Sequence, residues 1–151
     1  MSHAATLAEQ ITTDPPRPQI VTECVDLIDA EVKSKGGLSG VALRTAYAGI
    51  KAIKPGFIKD VVDALLDDWV AQLEPYYAAW RNGGATSFAD YLTARSDDVA
   101  NELLKVTDER AAQTKHKTAA KYYRKMRDSA QKHVAAAVPK LAKLIDAHLS
   151  A

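Results

Sequence analysis

The sequence has a single cysteine, Cys24, among its 151 residues. A lone cysteine excludes an internal disulfide and a zinc site built from several thiolates, and it fits a reducing compartment. No apolar run reaches the length of about 20 residues that a membrane-spanning helix needs. The early Glu9, with no basic segment followed by an apolar core, gives no sign of a secretion signal. We therefore expect a cytoplasmic protein without a transmembrane segment.

Motifs of known chemistry are also absent from the sequence. It contains no phosphate loop, no GxSxG elbow, no HExxH, no dinucleotide glycine fingerprint and no EF-hand loop. No two of its four histidines lie three or four positions apart, and no Glu-x-x-His is present, which excludes the di-iron bundle pattern. We therefore predict no catalytic residue, no cofactor and no metal, and we interpret the protein as non-enzymatic. An enzyme with an unfamiliar site stays an open alternative.

Three side chains with reactive groups have simple structural explanations. Cys24 falls on the apolar stripe of its helix, where a cysteine is usually a small buried hydrophobe rather than a nucleophile. His133 and His148 border the last apolar stripe, and the sequence places no nucleophile beside either of them. We interpret both histidines as half-buried structural residues.

The most apolar stretch of the chain is Phe57–Trp80. Its large apolar residues recur as neighbouring pairs every four positions, which is typical of a helix with a broad apolar stripe: Phe57 and Ile58, Val61 and Val62, Leu65 and Leu66, Trp69 and Val70. A stripe this wide predicts a central helix near residues 57–74 that packs among several others. Because Pro75 removes a backbone donor, we expect a kink or break near Leu73–Glu74.

The rest of the chain repeats the helical spacing without any signal for a hairpin of strands. We predict an all-α fold, a single-domain bundle of about six or seven helices around the central one. Residues 1–17 are predicted to form an N-terminal arm or short helix, and 18–151 the single domain. A chain of this length buries a core of its own without disulfides or metals.

One turn resembles the hairpin of helix-hairpin-helix DNA-binding modules. In Leu38–Ala46, Ser39 replaces the usual proline and Ala42 replaces the second glycine. On this interpretation backbone amides would meet a phosphate at a helix N-terminus. The phosphate-contacting residues would be Gly40, Arg44 and Thr45. A glycine-capped turn between two packed helices, with Ser39 as the N-cap of the second, is the favoured explanation.

Charge is balanced overall but divided into blocks. Residues 56–109 contain 11 acidic and four basic residues, whereas residues 115–143 contain nine basic residues and one acidic residue. Part of the basic block repeats at helical spacing on one side: Lys117, Lys121, Arg124, Lys125 and Lys132. Three kinds of surface would suit this basic face. The first is a phosphate backbone and the second is an anionic membrane. The third is the acidic face of the central helix, within one molecule or across a dimer. The similar block charges favour mutual neutralisation.

Acidic residues of the central stretch raise one further hypothesis. Asp63, Asp67 and Asp68 would gather a hard cation, since Asp63 and Asp67 share a helix face. A solvated face, or pairing with the basic helix, is the favoured interpretation because charged residues are mostly exposed.

Several short segments together resemble an uncharacterised bacterial all-helical family, a domain of unknown function. They are Gly37–Gly40, Lys54–Gly56, Leu103–Ala111, Tyr123–Arg127, His133–Val134 and Pro139. The resemblance covers the chain from about Pro18 onward. It implies a small cytoplasmic helical protein and no activity, cofactor or catalytic residue.

Three functional classes follow from these patterns. The leading hypothesis is a non-enzymatic binding or scaffolding module, with a protein partner or a second copy of itself as a homodimer. The second is a nucleic-acid-binding protein that uses the basic helix 115–132 and the Gly37–Thr45 turn. The third is a carrier of an apolar ligand between helices, suggested by the wide stripes and internal prolines.

Overall fold

The computed structural model describes residues 5–83 and 86–149. These residues form seven helices and no strand. The helices are α1 (Leu7–Ile11), α2 (Pro16–Ser34), α3 (Gly37–Lys51), α4 (Phe57–Gly83), α5 (Phe88–Thr93), α6 (Ser96–Gln113) and α7 (Lys117–Asp146). The prediction of an all-α single-domain bundle is confirmed.

Helix α4 is the central element, as its paired apolar residues predict. It packs against α1, α2, α3, α5 and α6. Its buried residues are Phe57, Val62, Leu65, Leu66, Val70, Leu73 and Tyr77. Of the kink or break expected near Leu73–Glu74, the break is absent, since α4 continues through Pro75 to Gly83. Packing on five neighbours compensates for the backbone donor that Pro75 lacks.

Helix α7 is the longest element and packs mainly against α3, α5 and α6. It also runs through an internal proline, Pro139, without restarting. Several of its buried positions hold short side chains, among them Ala120, Ala130 and Ala142. Helix α7 is therefore held in place by α3, α5 and α6 rather than by close packing on α4.

The beginning of α3 differs from the prediction. The helix starts at Gly37, with Gly36 as its N-cap, so Ser39 lies in the first turn and the predicted Ser39 N-cap is wrong. Gly37 has a φ of +71°, a left-handed conformation that favours glycine. A Cβ added to Gly40 would lie 2.5 Å from the carbonyl oxygen of Lys35. The glycines therefore allow α3 to begin close against the end of α2.

The part of the core between α4 and α5 is rich in aromatic rings. Tyr77 and Trp80 of α4 contact Phe88 of α5 with ring centroids 5.3 and 5.4 Å apart. We call this cluster, with the buried Leu7 and Leu92, the aromatic end. Edge-on aromatic contacts of this kind fill space densely and add attraction beyond the area that they bury.

Helix α1 is fixed to this end by a side chain from the middle of α4. The carboxylate of Glu74 accepts hydrogen bonds from the backbone amides of Leu7, at 2.7 Å, and Ala8, at 3.2 Å. These amides belong to the first turn of a helix and have no partner within it. Leu7 and Ile11 are buried in the same core as α4.

Candidate functional site

A cavity of about 360 Å³ lies where the apolar stripes of α2, α3, α4, α6 and α7 meet. Its wall is almost wholly carbon. Representative lining residues are Leu27, Val61, Leu65, Leu104, Val134 and Leu141. On the α7 side the wall includes the short side chains of Ala130 and Ala137, which leave room that larger residues would fill. The arrangement is suited to hold an apolar molecule between the helices.

Two tyrosines on the cavity wall have partners within the protein. The hydroxyl of Tyr47 donates to Asp29 at 2.5 Å, and that of Tyr123 donates to Asp108 at 2.7 Å. Burial, followed by the neighbouring carboxylate, raises the pKa of both phenols. Both hydroxyls therefore stay protonated and engaged, so they offer little to a ligand.

Among the described residues of the wall, the charged side chains lie near the end of α2, and their polar atoms contribute almost nothing to its surface. Glu31 is buried, and its two carboxylate oxygens contact Lys35 Nζ at 3.1 Å and Lys140 Nζ at 2.8 Å. Burial acts to raise the pKa of Glu31, but the hydrogen bonds from Lys140 and Lys35 outweigh it and lower the pKa. We call Glu31, Lys35, Lys140 and the neighbouring His133 the charged end of the cavity. Here two cations share one carboxylate.

His133 contributes the one imidazole of the charged end. Its Nε2 is buried and has no hydrogen-bond partner among the described residues. Burial, with the charges of Lys35 and Lys132, lowers the pKa of His133, so the ring is neutral near pH 7. An unpaired buried nitrogen costs about 1–3 kcal/mol, which calls for an explanation. The half-buried position of His133 agrees with the interpretation from the sequence. Nothing in the sequence indicated that its Nε2 would lack a hydrogen-bond partner.

The other two side chains with reactive groups are structural. Burial, and then the charge of Glu23, raises the pKa of Cys24 to about 11, so its thiol stays protonated. Cys24 lines the cavity as a small hydrophobe, as the sequence indicates. His148 Nε2 lies 2.7 Å from Glu23 Oε1 and so has a partner.

Three acidic residues of α4, Asp60, Asp63 and Asp67, are paired with cations from elsewhere in the chain, whereas Asp68 is exposed. Arg17 of α2 contacts Asp63 at 3.0 Å and Asp67 at 2.9 Å. Lys54 contacts Asp60 at 3.3 Å. Within residues 5–83 and 86–149, no three His, Cys, Asp or Glu side chains gather in a way that would hold a metal ion.

The basic face therefore does not neutralise α4. All five of its cations are exposed, and none forms an ion pair in the described part of the chain. The predicted neutralisation within one molecule is wrong, because α7 packs mainly on other helices and Arg17 and Lys54 contact the α4 carboxylates. Contacts of the basic face with a phosphate backbone, a membrane or a second copy stay predictions.

The residues of the predicted phosphate-contacting turn lie at the start of α3. The amide of Gly40 donates to the carbonyl of Gly36 at 3.2 Å, and the guanidinium of Arg44 donates to the carbonyl of Lys35. Thr45 is exposed one position further along the helix. Both Gly40 and Arg44 thus have partners within the protein, and phosphate binding by this turn stays a prediction.

Comparison with known families and structures identifies the family of the chain but no activity. The model of a family of unknown function, DUF6918, matches residues 7–149. The chain belongs to this family. This confirms the resemblance to a helical domain of unknown function. No curated protein and no solved structure matches the chain. In the described residues, no helix combines the length and apolar character that crossing a membrane requires.

Proposed function

We propose that the protein is a non-enzymatic binding protein that holds a small apolar ligand in the cavity between its helices. The observation that carries this proposal is the cavity itself. Its volume of about 360 Å³ falls within the range of roughly 300–1,000 Å³ typical of ligand pockets. Such pockets are also mostly apolar, which agrees with the carbon wall of this one.

The size of the cavity argues against an ordinary packing defect. Protein cores contain few voids larger than a water molecule. The space between the apolar stripes is partly open, and much of its apolar wall is not covered by protein atoms. A ligand that fills the space would cover this apolar surface and stabilise the folded state, so the cavity is better explained by binding.

Trp69 makes the proposal directly testable, because its side chain lines the cavity. Trp80, the second of the two tryptophans, belongs to the aromatic end. In a Trp80→Phe protein, titration with dodecanoate or dodecanol should produce a saturable change in Trp69 fluorescence at one ligand per chain. The melting temperature should rise with ligand concentration, because the ligand binds the folded state alone.

A matched variant separates binding in the cavity from binding at the surface. Ala137→Phe places a ring where α7 has a short side chain, so it should remove the fluorescence response while the helical content stays unchanged. Absence of a saturable response and of a thermal shift with both probes would refute the proposal.

A second candidate function rests on the basic face. Its exposed cations form no ion pair in the described part of the chain, which supports binding of a polyanion or an acidic partner, including nucleic acid. Four phosphate contacts would give a log–log salt slope of about −3.6 for duplex DNA. Reversal of Lys121 and Lys125 to Glu should abolish such binding, whereas reversal of the exposed Lys59 and Lys143 should preserve it. Fluorescence anisotropy of a labelled duplex over a salt series distinguishes these outcomes.

A further inference from the structure

The outer face of α3 lacks the charged side chains that the exposed side of a helix normally carries. It consists of uncharged, mostly apolar residues at helical spacing. All of them are exposed: Leu38, Val41, Ala42, Thr45, Ala48 and Ala52. Leu38 is 91% exposed and Val41 is 53% exposed, and among the described residues these two are the exposed large apolar side chains. We call this set of six residues the outer row.

We propose that the outer row, together with the neighbouring cations of α7, docks on the surface of an anionic lipid membrane. Leu38 and Val41 enter the boundary between head groups and acyl chains, as apolar residues of interfacial helices do. Lys121, Lys125 and Lys132 contact the anionic head groups. The outer row lies outside the cavity, so this proposal does not depend on the proposed function.

The two charged residues of α3 are turned aside from the outer row, towards α2. The guanidinium of Arg44 donates to the carbonyl of Lys35. Lys51 Nζ lies 3.5 Å from Asp29 Oδ1. Both partners lie on or at the end of α2. The outer row is therefore left without charge and without cover from the described part of the chain.

Helix α7 borders the other side of the outer row. A Cβ added to Gly49 would lie 2.5 Å from the ring of Tyr122, so the two helices approach closely at this point. Lys125 Nζ lies 5.6 Å from the centroid of the same ring. Lys121 and Lys125 are both exposed and form no ion pair in the described part of the chain. Cations of α7 thus accompany the end of the outer row near Ala48.

A further cation of α7 lies near the beginning of the outer row. A Cβ added to Gly40 would lie 2.5 Å from the carbonyl oxygen of Lys35, so α3 begins against this lysine. The charges of Lys35 and Lys132 both lower the pKa of His133, which places the two lysines in the same neighbourhood. Leu38 belongs to this first turn of α3. The outer row therefore has cations beside it at both ends, over about 20 Å of helix.

The combination of apolar residues and cations selects a membrane among the possible partners. A nucleic acid duplex would meet the cations with its phosphates, but it offers no apolar layer to cover Leu38 and Val41. In a symmetric dimer through this face, the cations of the two copies would lie opposite one another and repel. An anionic membrane supplies a charged layer with an apolar layer directly beneath it.

The opposite face of α3 lines the cavity with Leu43, Tyr47 and Ile50. A single helix therefore separates the cavity from the proposed membrane surface. Docking in this orientation would bring the cavity close to the lipid phase, in which apolar molecules dissolve.

Binding to lipid vesicles tests the proposal with the unmodified protein. Flotation is measured with vesicles of phosphatidylcholine alone and of phosphatidylcholine with phosphatidylglycerol. The protein should bind the anionic vesicles at least about tenfold more tightly, because each lysine near such a surface strengthens binding by about fivefold. Binding should weaken as the salt concentration rises.

Substitutions of Leu38 test the apolar contribution. Leu38→Ser should weaken binding to the anionic vesicles by about tenfold, because a large apolar side chain no longer leaves water. Leu38→Trp should bind at least as tightly as the wild type, since tryptophan favours the membrane interface. The side chain of Leu38 is almost fully exposed, so both variants should keep the wild-type helical content.

A matched pair of charge reversals tests the cations. Lys125→Glu should weaken binding to the anionic vesicles by about fivefold or more. Lys105→Glu makes the same change at an exposed position of α6, a helix that packs on α4, α5 and α7. It should leave vesicle binding nearly unchanged.

Two results would overturn the proposal. The first is vesicle binding that Leu38→Ser leaves at the wild-type strength, because the lysines alone would then account for it. The second is absence of vesicle binding, whether the same face instead binds a labelled duplex or holds two copies together in size-exclusion chromatography. The Trp69 response to dodecanol is a separate measurement that Leu38→Ser should not alter, so failure of one proposal is distinguishable from failure of the other.

Discussion

The aromatic end and the cavity are built against the same central helix, yet one is filled and the other is hollow. At the aromatic end, rings of Tyr77, Trp80 and Phe88 lie 5.3–5.8 Å apart and the core is closed. Around the cavity, aliphatic side chains of α2 and α4 face short ones on α7, such as Ala130 and Ala137. Helix α7 cannot move in to close the gap, because α3, α5 and α6 already fix its position. Hydrophobic character is thus similar in the two regions, and side-chain size relative to helix spacing decides which one is filled.

The largest expected difference between the two regions comes from removing one leucine from each. Leu92 lies at the aromatic end and Leu65 lines the cavity, and both side chains are 1% exposed. We expect Leu92→Ala to cost about 4–5 kcal/mol, because it creates a new cavity in a filled region. Leu65→Ala should cost about 2–3 kcal/mol, because it only enlarges a cavity where contacts are already fewer. Denaturant unfolding of both variants measures the difference.

The same pair of variants also tests whether the cavity persists in solution. Equal losses at the two positions would mean that the helices close around the cavity, and the comparison between a filled and a hollow region would no longer hold. Dodecanoate provides a further control, since it should stabilise the wild type more than the Leu65→Ala protein if the fit to the chain matters.

Adding atoms should have opposite effects in the two regions. Ala89 is buried at the aromatic end, where Ala89→Leu overpacks the core and should cost about 1–3 kcal/mol. Ala137→Leu adds the same atoms beside the cavity and should increase stability by about 0.5–2 kcal/mol. Thermal unfolding without ligand gives both values. A loss of stability in Ala137→Leu as large as in Ala89→Leu would show that the cavity wall has no spare room.

Acid should produce the smallest of the three effects, and it should act at the charged end. The pKa of Glu31 is lower in the folded protein than the ordinary value of 4.5, so folding releases a proton from this group. Its contribution is complete above pH 4.5 and is lost as the pH falls through the lowered value. Between pH 7 and pH 3, Glu31→Gln should therefore lose less stability than the wild type, by about 1 kcal/mol.

A surface pair provides the control for this pH dependence. Glu102 contacts Lys105 at 3.2 Å on α6, and both are more exposed than Glu31. Glu102→Gln should follow the wild-type pH curve within experimental error. If Glu31→Gln also follows the wild-type curve, then the two lysines do not hold the Glu31 carboxylate in solution.

Periodicity predicts which side chains face the interior but not how far apart the helices lie. The paired repeat from Phe57 onward was sufficient to identify α4 and the all-α class, because a helical stripe is a local property of the sequence. The cavity depends on distances between five helices, and no local pattern encodes them. The small residues Ala130 and Ala137, two turns apart on an apolar stripe, were the one signal available.

Electrostatic pairing was less predictable for a related reason. Block charges suggested that α7 would neutralise α4, but a single side chain, Arg17, reaches Asp63 across 46 positions of sequence. The net charge of a segment gives the excess of one sign of charge. It does not say which oppositely charged side chains lie close enough to form an ion pair. The Ser39 N-cap failed similarly, because the left-handed conformation of Gly37 lets the helix begin earlier than residue preference alone indicates.

The contact between Glu74 and α1 has a consequence for the boundaries of the binding compartment. A helix of five residues is too short to persist by itself in water. Helix α1 therefore depends on the burial of Leu7 and Ile11 and on the two hydrogen bonds that its amides donate to the Glu74 carboxylate. Ile11, the last residue of α1, is also part of the cavity wall. The compartment is therefore closed at this side by a short segment of chain rather than by a long helix. Removal of the first eleven residues would uncover a further part of the apolar wall to water.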